Sequence, residues 1–305
     1  MLYATGFNAW DQLRFGRPSD EEPSDISSFT CVLQDDVDHI RAFFSYTLVH
    51  LKNGQDRIAG MVPKTHEKLR AANEKAYASF VEASNGEIVV PSGSQPPQQY
   101  PSIRDLLSSK EPSQTLSNLL NITQLVAYET GFAALSSTGQ VWTWGDERYT
   151  ACLGREPTDE SPAETPHPVT DLDDLPTGPI TKLAAGGYLL AALTAGNDLY
   201  CWGHVGRSPT LPDLSDTPTP LVIDDQDIAD VAVGDAHMLV LTPDGDVYVI
   251  GDNSNGQLGL PGTSSTKTWT RLDLGSILTA GQRVTGVAAG PRNSFLIVQT
   301  QPECQ

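Results

Sequence analysis

Four stretches of this 305-residue chain align with one another without a gap: Leu135-Ser-Ser-Thr-Gly-Gln-Val-Trp-Thr-Trp-Gly145, Leu193-Thr-Ala-Gly-Asn-Asp-Leu-Tyr-Cys-Trp-Gly203, Leu241-Thr-Pro-Asp-Gly-Asp-Val-Tyr-Val-Ile-Gly251 and the more worn His50-Leu-Lys-Asn-Gly-Gln-Asp-Arg-Ile-Ala-Gly60. Each reads as a hairpin. An apolar strand enters a tight turn with Gly or Asn where φ must be positive, and a second strand with alternating apolar residues leaves it. Ten residues ahead of each lies a small-residue strand: Leu183-Ala-Ala-Gly186, Val231-Ala-Val-Gly234 and, more weakly, Leu125-Val-Ala-Tyr128 and Ile40-Arg-Ala-Phe43. Where several sheets converge on an axis, only Ala and Gly let the inner backbones approach.

The two ends of the chain complete the pattern. Val287-Ala-Ala-Gly290 and Ser294-Phe-Leu-Ile-Val298 repeat the two inner strands, but no third strand follows them. Leu2-Tyr-Ala-Thr-Gly6-Phe-Asn-Ala-Trp-Asp-Gln-Leu13 instead aligns with Val247-Tyr-Val-Ile-Gly251-Asp-Asn-Ser-Asn-Gly-Gln-Leu258. The N-terminal strand is therefore expected to complete the C-terminal blade, closing the sheet that would otherwise expose an edge. The expectation is an all-β, closed β-propeller occupying residues 1–305 as a single domain. Turn positions Gly54, Gly86, Gly139, Asn197, Gly245 and, by extrapolation, Gln301 mark six repeats. Six or seven blades remain open, because a seventh has room to hide in an irregular insertion at about 61–121.

Within that insertion, Thr65 to Phe80 consists of good helix formers with Leu69, Ala72, Ala76 and Phe80 at helical spacing, while Phe80 to Val90 reads as a worn hairpin around Gly86. The two overlap, so the stretch is a short helix or a distorted strand inserted into a blade. A polar loop is expected from Pro91 to Pro101, and a helical turn from Ile103 to Leu107.

The segment Val231-Ala-Val-Gly-Asp-Ala-His237, followed by Val247-Tyr-Val-Ile-Gly-Asp-Asn-Ser-Asn-Gly-Gln-Leu-Gly259, closely resembles the repeat of the regulator of chromosome condensation (RCC1) superfamily. The resemblance extends to Leu125–Gly145 and Leu183–Gly203 and is weak between Met61 and Asn121. It implies a non-enzymatic protein-interaction propeller. In length and starting point the chain is most similar to the fungal α-tubulin suppressor-type propellers. That resemblance implies an adaptor or regulatory subunit for a small zinc-containing electron-transfer protein serving diphthamide synthesis and Elongator modification of tRNA wobble uridine. The founding members imply the alternative, guanine-nucleotide exchange on a small Ran-like GTPase.

Charge limits the partners. Acids outnumber bases 38 to 19, for a net charge of −19, and such a surface repels a phosphate backbone, so direct nucleic-acid binding is not expected. Six basic residues cluster between Lys52 and Lys75, whereas Asp146 to Asp246 holds 19 acids against four bases, an asymmetry able to steer a protein partner. The first residues carry no basic region followed by an apolar run, and no stretch reaches the ~20 apolar residues of a membrane span, so neither secretion nor membrane insertion is expected. The sequon at Asn121-Ile-Thr123 then has no glycosylation to receive. Four scattered cysteines (Cys31, Cys152, Cys201, Cys304) make neither a disulfide framework nor a zinc pair. Cytoplasm and/or nucleus is the expected setting, as a monomer or heterodimer.

Catalytic chemistry finds no foothold: nucleophile elbow, phosphate loop and zinc helix are all absent from the sequence. No catalytic residue, metal ligand or cofactor is expected. The run Asn253-x-Asn255-Gly256 lacks the acid positions of a calcium loop and reads as a connecting turn. Trp142, Trp144 and Trp202 are expected to pack between blades. Binding is sought on the turns joining the two inner strands, where Phe44, Tyr46, Tyr128, Glu129, Tyr188, Asp235, His237 and Arg292 fall, and on Trp10, which aligns with Asn255. Aromatics and arginine dominate interface energetics, and His237 also stands at the family's repeat histidine, where a structural hydrogen bond is the plainer role.

Overall fold

The computed structural model describes residues 1–16, 22–92, 95–204 and 214–300. Strands β1 (Leu2–Gly6) and β2 (Ile26–Leu33) come first. A three-stranded sheet follows, made of β3 (Val37–Ala42), β4 (Tyr46–Leu51) and β5 (Asp56–Gly60). Helices α1 (Lys64–Ala72) and α2 (Glu74–Ser79) lead into a four-stranded sheet of β6 (Val81–Glu82), β7 (Ile88–Ser92), β8 (Gln95–Tyr100) and β9 (Gln114–Thr115), with α3 (Ile103–Leu107) before its last strand. The third sheet contains β10 (Ile122–Tyr128), β11 (Gly131–Ser136), β12 (Val141–Gly145) and β13 (His167–Pro168); the fourth, β14 (Ile180–Gly186), β15 (Leu189–Thr194), β16 (Leu199–Gly203) and β17 (Thr219–Leu221). The fifth comprises β18 (Asp230–Val233), β19 (His237–Leu241), β20 (Val247–Asp252) and β21 (Ser265–Arg271). After α4 (Leu274–Ile277), strands β22 (Gln282–Gly290) and β23 (Asn293–Thr300) join the start of the chain in the order β2-β1-β23-β22.

These are the six blades of an all-β propeller. Among the described residues no seventh sheet is present, which resolves the open blade count. The N-terminal strand completes the last blade as the repeats predict, with Leu2 to Gly6 of β1 paired in register against Ile297 to Asn293 of β23.

Two compact units divide the blades. One contains Met1–Met61 and, among the described residues, 222–300; its sheets are β3-β4-β5, β18 to β21 and the composite sheet. The other contains Val62–His204 and Leu214–Leu221, with the remaining three sheets. In both, the core lies between neighbouring blades. In the first unit, Leu239, Val247 and Val249 pack with Val287, Leu296 and Val298, and Leu2, Ala4 and Phe295 pack with Val37, Val49 and Leu51. In the second, Leu135 and Val141 pack with Leu183, Leu190 and Trp202, while Phe132 and Trp144 pack with Val89 and Leu116. Burying these faces is the main favourable term in holding blade to blade. The expected tryptophan packing holds: Trp144 donates from Nε1 to Gln99 Oε1 at 2.9 Å and Trp202 to the Cys152 carbonyl at 3.1 Å, while half-buried Trp142 packs beside Trp144.

One turn recurs five times. In each, the first residue's N–H donates to the carbonyl four positions on and accepts the N–H three positions on at its own carbonyl, as at Leu51–Gln55, Ala83–Glu87, Ser136–Gln140, Thr194–Asp198 and Thr242–Asp246. The residue before the last has positive φ in all five: Gly54 (80°), Gly86 (89°), Gly139 (87°), Asn197 (72°) and Gly245 (93°). The repeat positions read from the sequence are thus one backbone motif, and Gln301 lies outside the described residues. The motif also shows that β6 and β7 are the middle strands of a degenerate blade. Its inner strand is missing from the sequence order, and α1 and α2 occupy that stretch.

Helix and hairpin therefore coexist between residues 64 and 92, correcting the choice between them. No β-branched residue occurs from His66 to Phe80, which favours helix. Asn73 divides the two helices, its side chain accepting from Ala76 N at 3.1 Å, and this break leaves Ala72 exposed while Leu69, Ala76 and Phe80 are buried. Phe80, at ψ 149°, turns the chain into the hairpin. The loop expected from Pro91 to Pro101 is also corrected, since most of it is β8. Its prolines stand near the strand's start, and Gln98, Gln99 and Tyr100 make the pairing with β7. The helical turn at Ile103–Leu107 is present, capped by Ser102.

Candidate functional site

In the first unit, three turns meet where the inner strands reverse. Asp235 N donates to the Pro291 carbonyl at 3.0 Å, tying the β18–β19 turn to the β22–β23 turn, and Phe7 N donates to the Arg292 carbonyl at 2.9 Å. Beside them stands the Phe43–Tyr46 turn between β3 and β4. Gly6, at φ 112°, has to be glycine because any Cβ would collide with Arg292 O and Asn293 Cα.

The segment after β1 is organised like the segment after β20. Leu13 N donates to Asn8 Oδ1 at 2.8 Å and Trp10 N to Gln12 Oε1 at 2.9 Å; Leu258 N donates to Asn253 Oδ1 at 2.7 Å and Asn255 N to Gln257 Oε1 at 2.9 Å. Asn253 is thereby the buried centre of a connecting turn. The shared scaffold puts Trp10 at the outward position that Asn255 holds in the other copy. Buried Gln12 then bridges to the next blade, donating from Nε2 to the Phe44 carbonyl at 3.2 Å.

The result is an apolar surface bordered by Arg292 and Arg41, with exposed Asp235 on the adjoining turn. The Phe7 ring stacks on Phe44 at 5.5 Å, and the Arg292 guanidinium lies 5.6 Å from the same ring. Met61 N donates to the Ser45 carbonyl at 2.8 Å, placing Met61 next to this turn. Trp10, Phe44 and Met61 are 41%, 47% and 52% exposed, and they are three of the five large apolar side chains that face solvent among the described residues. Concentration of exposed apolar groups on one patch is the usual mark of an interaction site. Arg41 lies over Phe43 at 5.1 Å on the flank.

Of the nine sequence-predicted contacts, Trp10, Phe44 and Arg292 come together on this surface, with exposed Asp235 on the adjoining turn. Tyr46, Tyr128 and His237 are corrected: they are buried and support turns from within. Tyr46 stacks on Phe43 at 4.3 Å, Tyr128 donates its hydroxyl to the Trp144 carbonyl at 3.1 Å, and the His237 ring contacts Ser294. Burial raises the Tyr128 phenol far above its ordinary range. Period-two strand patterning does not distinguish the last residue before a turn from the first one in it, which is why these aromatics were legible as positions but not as buried. Met61 and Phe7 carry no such signal beyond the alignment of Phe7 with Asp252, the last residue of β20.

Tyr188 and Glu129 belong to a second cluster in the other unit. Glu129 N donates to the Gly187 carbonyl at 2.6 Å, the Tyr149 and Tyr188 rings stack at 5.0 Å, and His204 meets Tyr188 edge-on at 5.9 Å. Burial, the hydrogen bond with Tyr149 and the Glu129 charge push the Tyr188 phenol up to about 12, so at neutral pH it is a neutral hydrogen-bonding group. Among the described residues, no three His, Cys, Asp or Glu side chains gather where they could hold a metal ion.

A six-bladed propeller with an aromatic and arginine surface at its inner turns is the class this geometry defines. Residues 228–257 and 244–297 match models of the Regulator of chromosome condensation (RCC1) repeat. The chain is 28% identical over 185 residues to the RCC1 domain-containing protein RUG3, mitochondrial, of Arabidopsis thaliana, covering 58% of this chain and 40% of that protein. It is 30% identical over 161 residues to the Regulator of chromosome condensation of Mus musculus, covering 50% and 36% respectively. The matched stretches thus span well under half the length of these relatives. Among solved structures, Prp20p of Saccharomyces cerevisiae is similar with a TM-score of 0.71 at 12% identity over 99% of this chain and 92% of that one, a likeness of fold.

Proposed function

We propose that this protein is a non-enzymatic docking module, one propeller domain over residues 1–305, that binds a protein partner through the surface of Trp10, Phe44, Met61 and Arg292. The observation carrying this reading is the gathering of three exposed apolar side chains around one hydrogen-bonded turn, with an arginine held over the central ring. Leaving such groups in water is unfavourable, and covering them with a partner stabilises the complex in proportion to the apolar area removed. Asp235 is proposed as a rim contact, and Glu129 and Tyr188 as contacts of the second cluster.

The favoured partner is a small zinc-containing electron carrier of the diphthamide and Elongator pathways, supported by the resemblance of the repeats to the fungal α-tubulin suppressor-type propellers. A monomer or heterodimer in the cytoplasm and/or nucleus fits that role. A second reading, exchange on a Ran-like GTPase, is favoured by the 30% identity with the mouse Regulator of chromosome condensation. Titration calorimetry of the purified chain with the zinc carrier and, separately, with a nucleotide-free Ran-type GTPase separates the two. Binding of the carrier, weakened in Trp10→Ala/Phe44→Ala without a drop in melting temperature, is the expected result. Binding of the nucleotide-free GTPase, with accelerated nucleotide release from its GDP-loaded form in a separate fluorescence assay, would establish the second reading instead, and carrier binding untouched by the double variant would remove the surface.

A further inference from the structure

We propose that this surface selects a partner segment in which a carboxylate side chain lies beside a large apolar one, with Arg292 reading the carboxylate. The inference builds on the docking reading of the patch and names the chemistry it takes. Acids outnumber bases two to one in this chain, and four of its arginines stand beside one. Arg14 pairs with Asp11 at 3.4 Å, Arg57 with Asp35 at 3.5 Å, Arg148 with Asp146 at 2.5 Å and Arg271 with Asp246 at 2.6 Å. Arg292 is exposed yet makes no ion pair or side-chain hydrogen bond among the described residues; its guanidinium contacts the Phe44 ring.

The backbone beneath it is fixed. Its carbonyl accepts from Phe7 N, Pro291 accepts from Asp235 N, and Asn293 and Ser294 after it are buried. A guanidinium resting against an aromatic ring keeps its N–H donors available for a carboxylate, and the fork matches the two carboxylate oxygens. Phe44 and Met61 alongside supply the apolar contact. The guanidinium beside the Phe44 ring thus favours a segment that pairs one carboxylate with an apolar side chain, and a short segment brings far fewer like charges to this chain than a second copy of net charge −19 would.

Selection of a displayed random dodecapeptide library on the immobilised full-length protein tests this. Enrichment of Asp or Glu within one or two positions of Leu, Phe, Met or Trp is expected. A synthetic peptide of the selected consensus, followed by fluorescence anisotropy, should bind Arg292→Ala and Phe44→Ala at least about tenfold more weakly than wild type. Arg292→Glu should bind more weakly still, and affinity should fall with added salt. Melting curves of the variants are expected to match wild type, since both side chains are exposed. Peptides without acidic enrichment, binding unchanged by Arg292→Ala, or no enriched peptide at all would each overturn the carboxylate assignment. If apolar peptides are selected and lost only with Phe44→Ala, docking stands and the role of Arg292 falls; insensitivity to Phe44→Ala and Trp10→Ala alike removes both. Concentration-dependent dimerisation abolished by Phe44→Ala would show a second copy as occupant and overturn the proposal.

Discussion

His237 Nε2 and Ser294 Oγ lie 2.9 Å apart across two neighbouring blades, both side chains fully buried. Ser294 spends its hydroxyl proton on the Gln257 carbonyl at 2.6 Å, so the imidazole must donate from Nε2. Gly234 packs so tightly against the ring that a Cβ there would collide with it. Burial pushes the imidazole down to about 4, opposed by the Asn293 backbone and the Asp252 charge.

That depressed pKa predicts a pH dependence of folding. The unfolded chain takes up the proton near 6.5 and the folded chain only near 4, so between these values the unfolded state binds more protons. The histidine's contribution is therefore fully present above pH 6.5 and is lost as pH falls toward 4, by about 3 kcal/mol. Urea unfolding midpoints from pH 7.5 to 4 should fall more steeply for wild type than for His237→Gln. Equal slopes would contradict a neutral buried imidazole.

Arg155 is a clamp without a carboxylate. Its Nη1 donates to Ser161 O and Oγ, both at 2.8 Å, and Nη2 to the carbonyls of Thr143, Pro162 and Thr165 at 3.0–3.3 Å. Arg155→Ala should cost about 2–3 kcal/mol by leaving these acceptors unpaired, and Arg155→Lys should not restore it, because an ammonium lacks the planar fork. Restoration by lysine in thermal melts would count against this role.

The recurring turn makes a graded prediction. Gly54→Ala meets no neighbouring atom and should cost about 1–2 kcal/mol through its positive φ alone. Gly139→Ala should cost more, because its Cβ would also run into Pro179. Asn197→Gly should change stability by only a few tenths of a kcal/mol, since asparagine already tolerates this conformation. Chemical denaturation of the three variants checks the order.

Thiol reactivity should report burial. Burial pushes the Cys152 thiol up to about 12 and raises Cys201 further, whereas Cys31 is half-buried. At pH 8, a disulfide reagent should leave Cys152 and Cys201 unmodified in the native protein and modify both on unfolding. Mass-mapped native labelling of either would refute their placement.

Much of this molecule was legible because its repeats are written twice, once in residue type and once in spacing. Gly54, Gly86, Gly139, Asn197 and Gly245 mark one turn because positive φ admits few residues, and Leu2 to Leu13 matches Val247 to Leu258 down to the buried amides of Asn8 and Gln12. The stretch from Thr65 to Phe80 was ambiguous for a local reason: helical spacing and a worn hairpin overlap at Phe80, and only the cap at Asn73 and the extended Phe80 backbone separate them. Of the turn residues that the sequence singles out, Trp10, Phe44 and Arg292 are exposed, whereas Tyr46 and Tyr128 are buried and His237 makes the structural hydrogen bond that its repeat position suggests.

The repeat periodicity by itself determined the propeller, its all-β character and the joining of the chain's two ends in one blade, because turn chemistry and strand alternation act between near neighbours in sequence. Tertiary structure decided the blade count and which turn side chains face water. It also decided that Phe7, Phe44, Met61 and Arg292, far apart along the chain, form one surface. Burial and side-chain juxtaposition are set by contacts between blades, and a single strand's pattern holds no information about the neighbour that covers it.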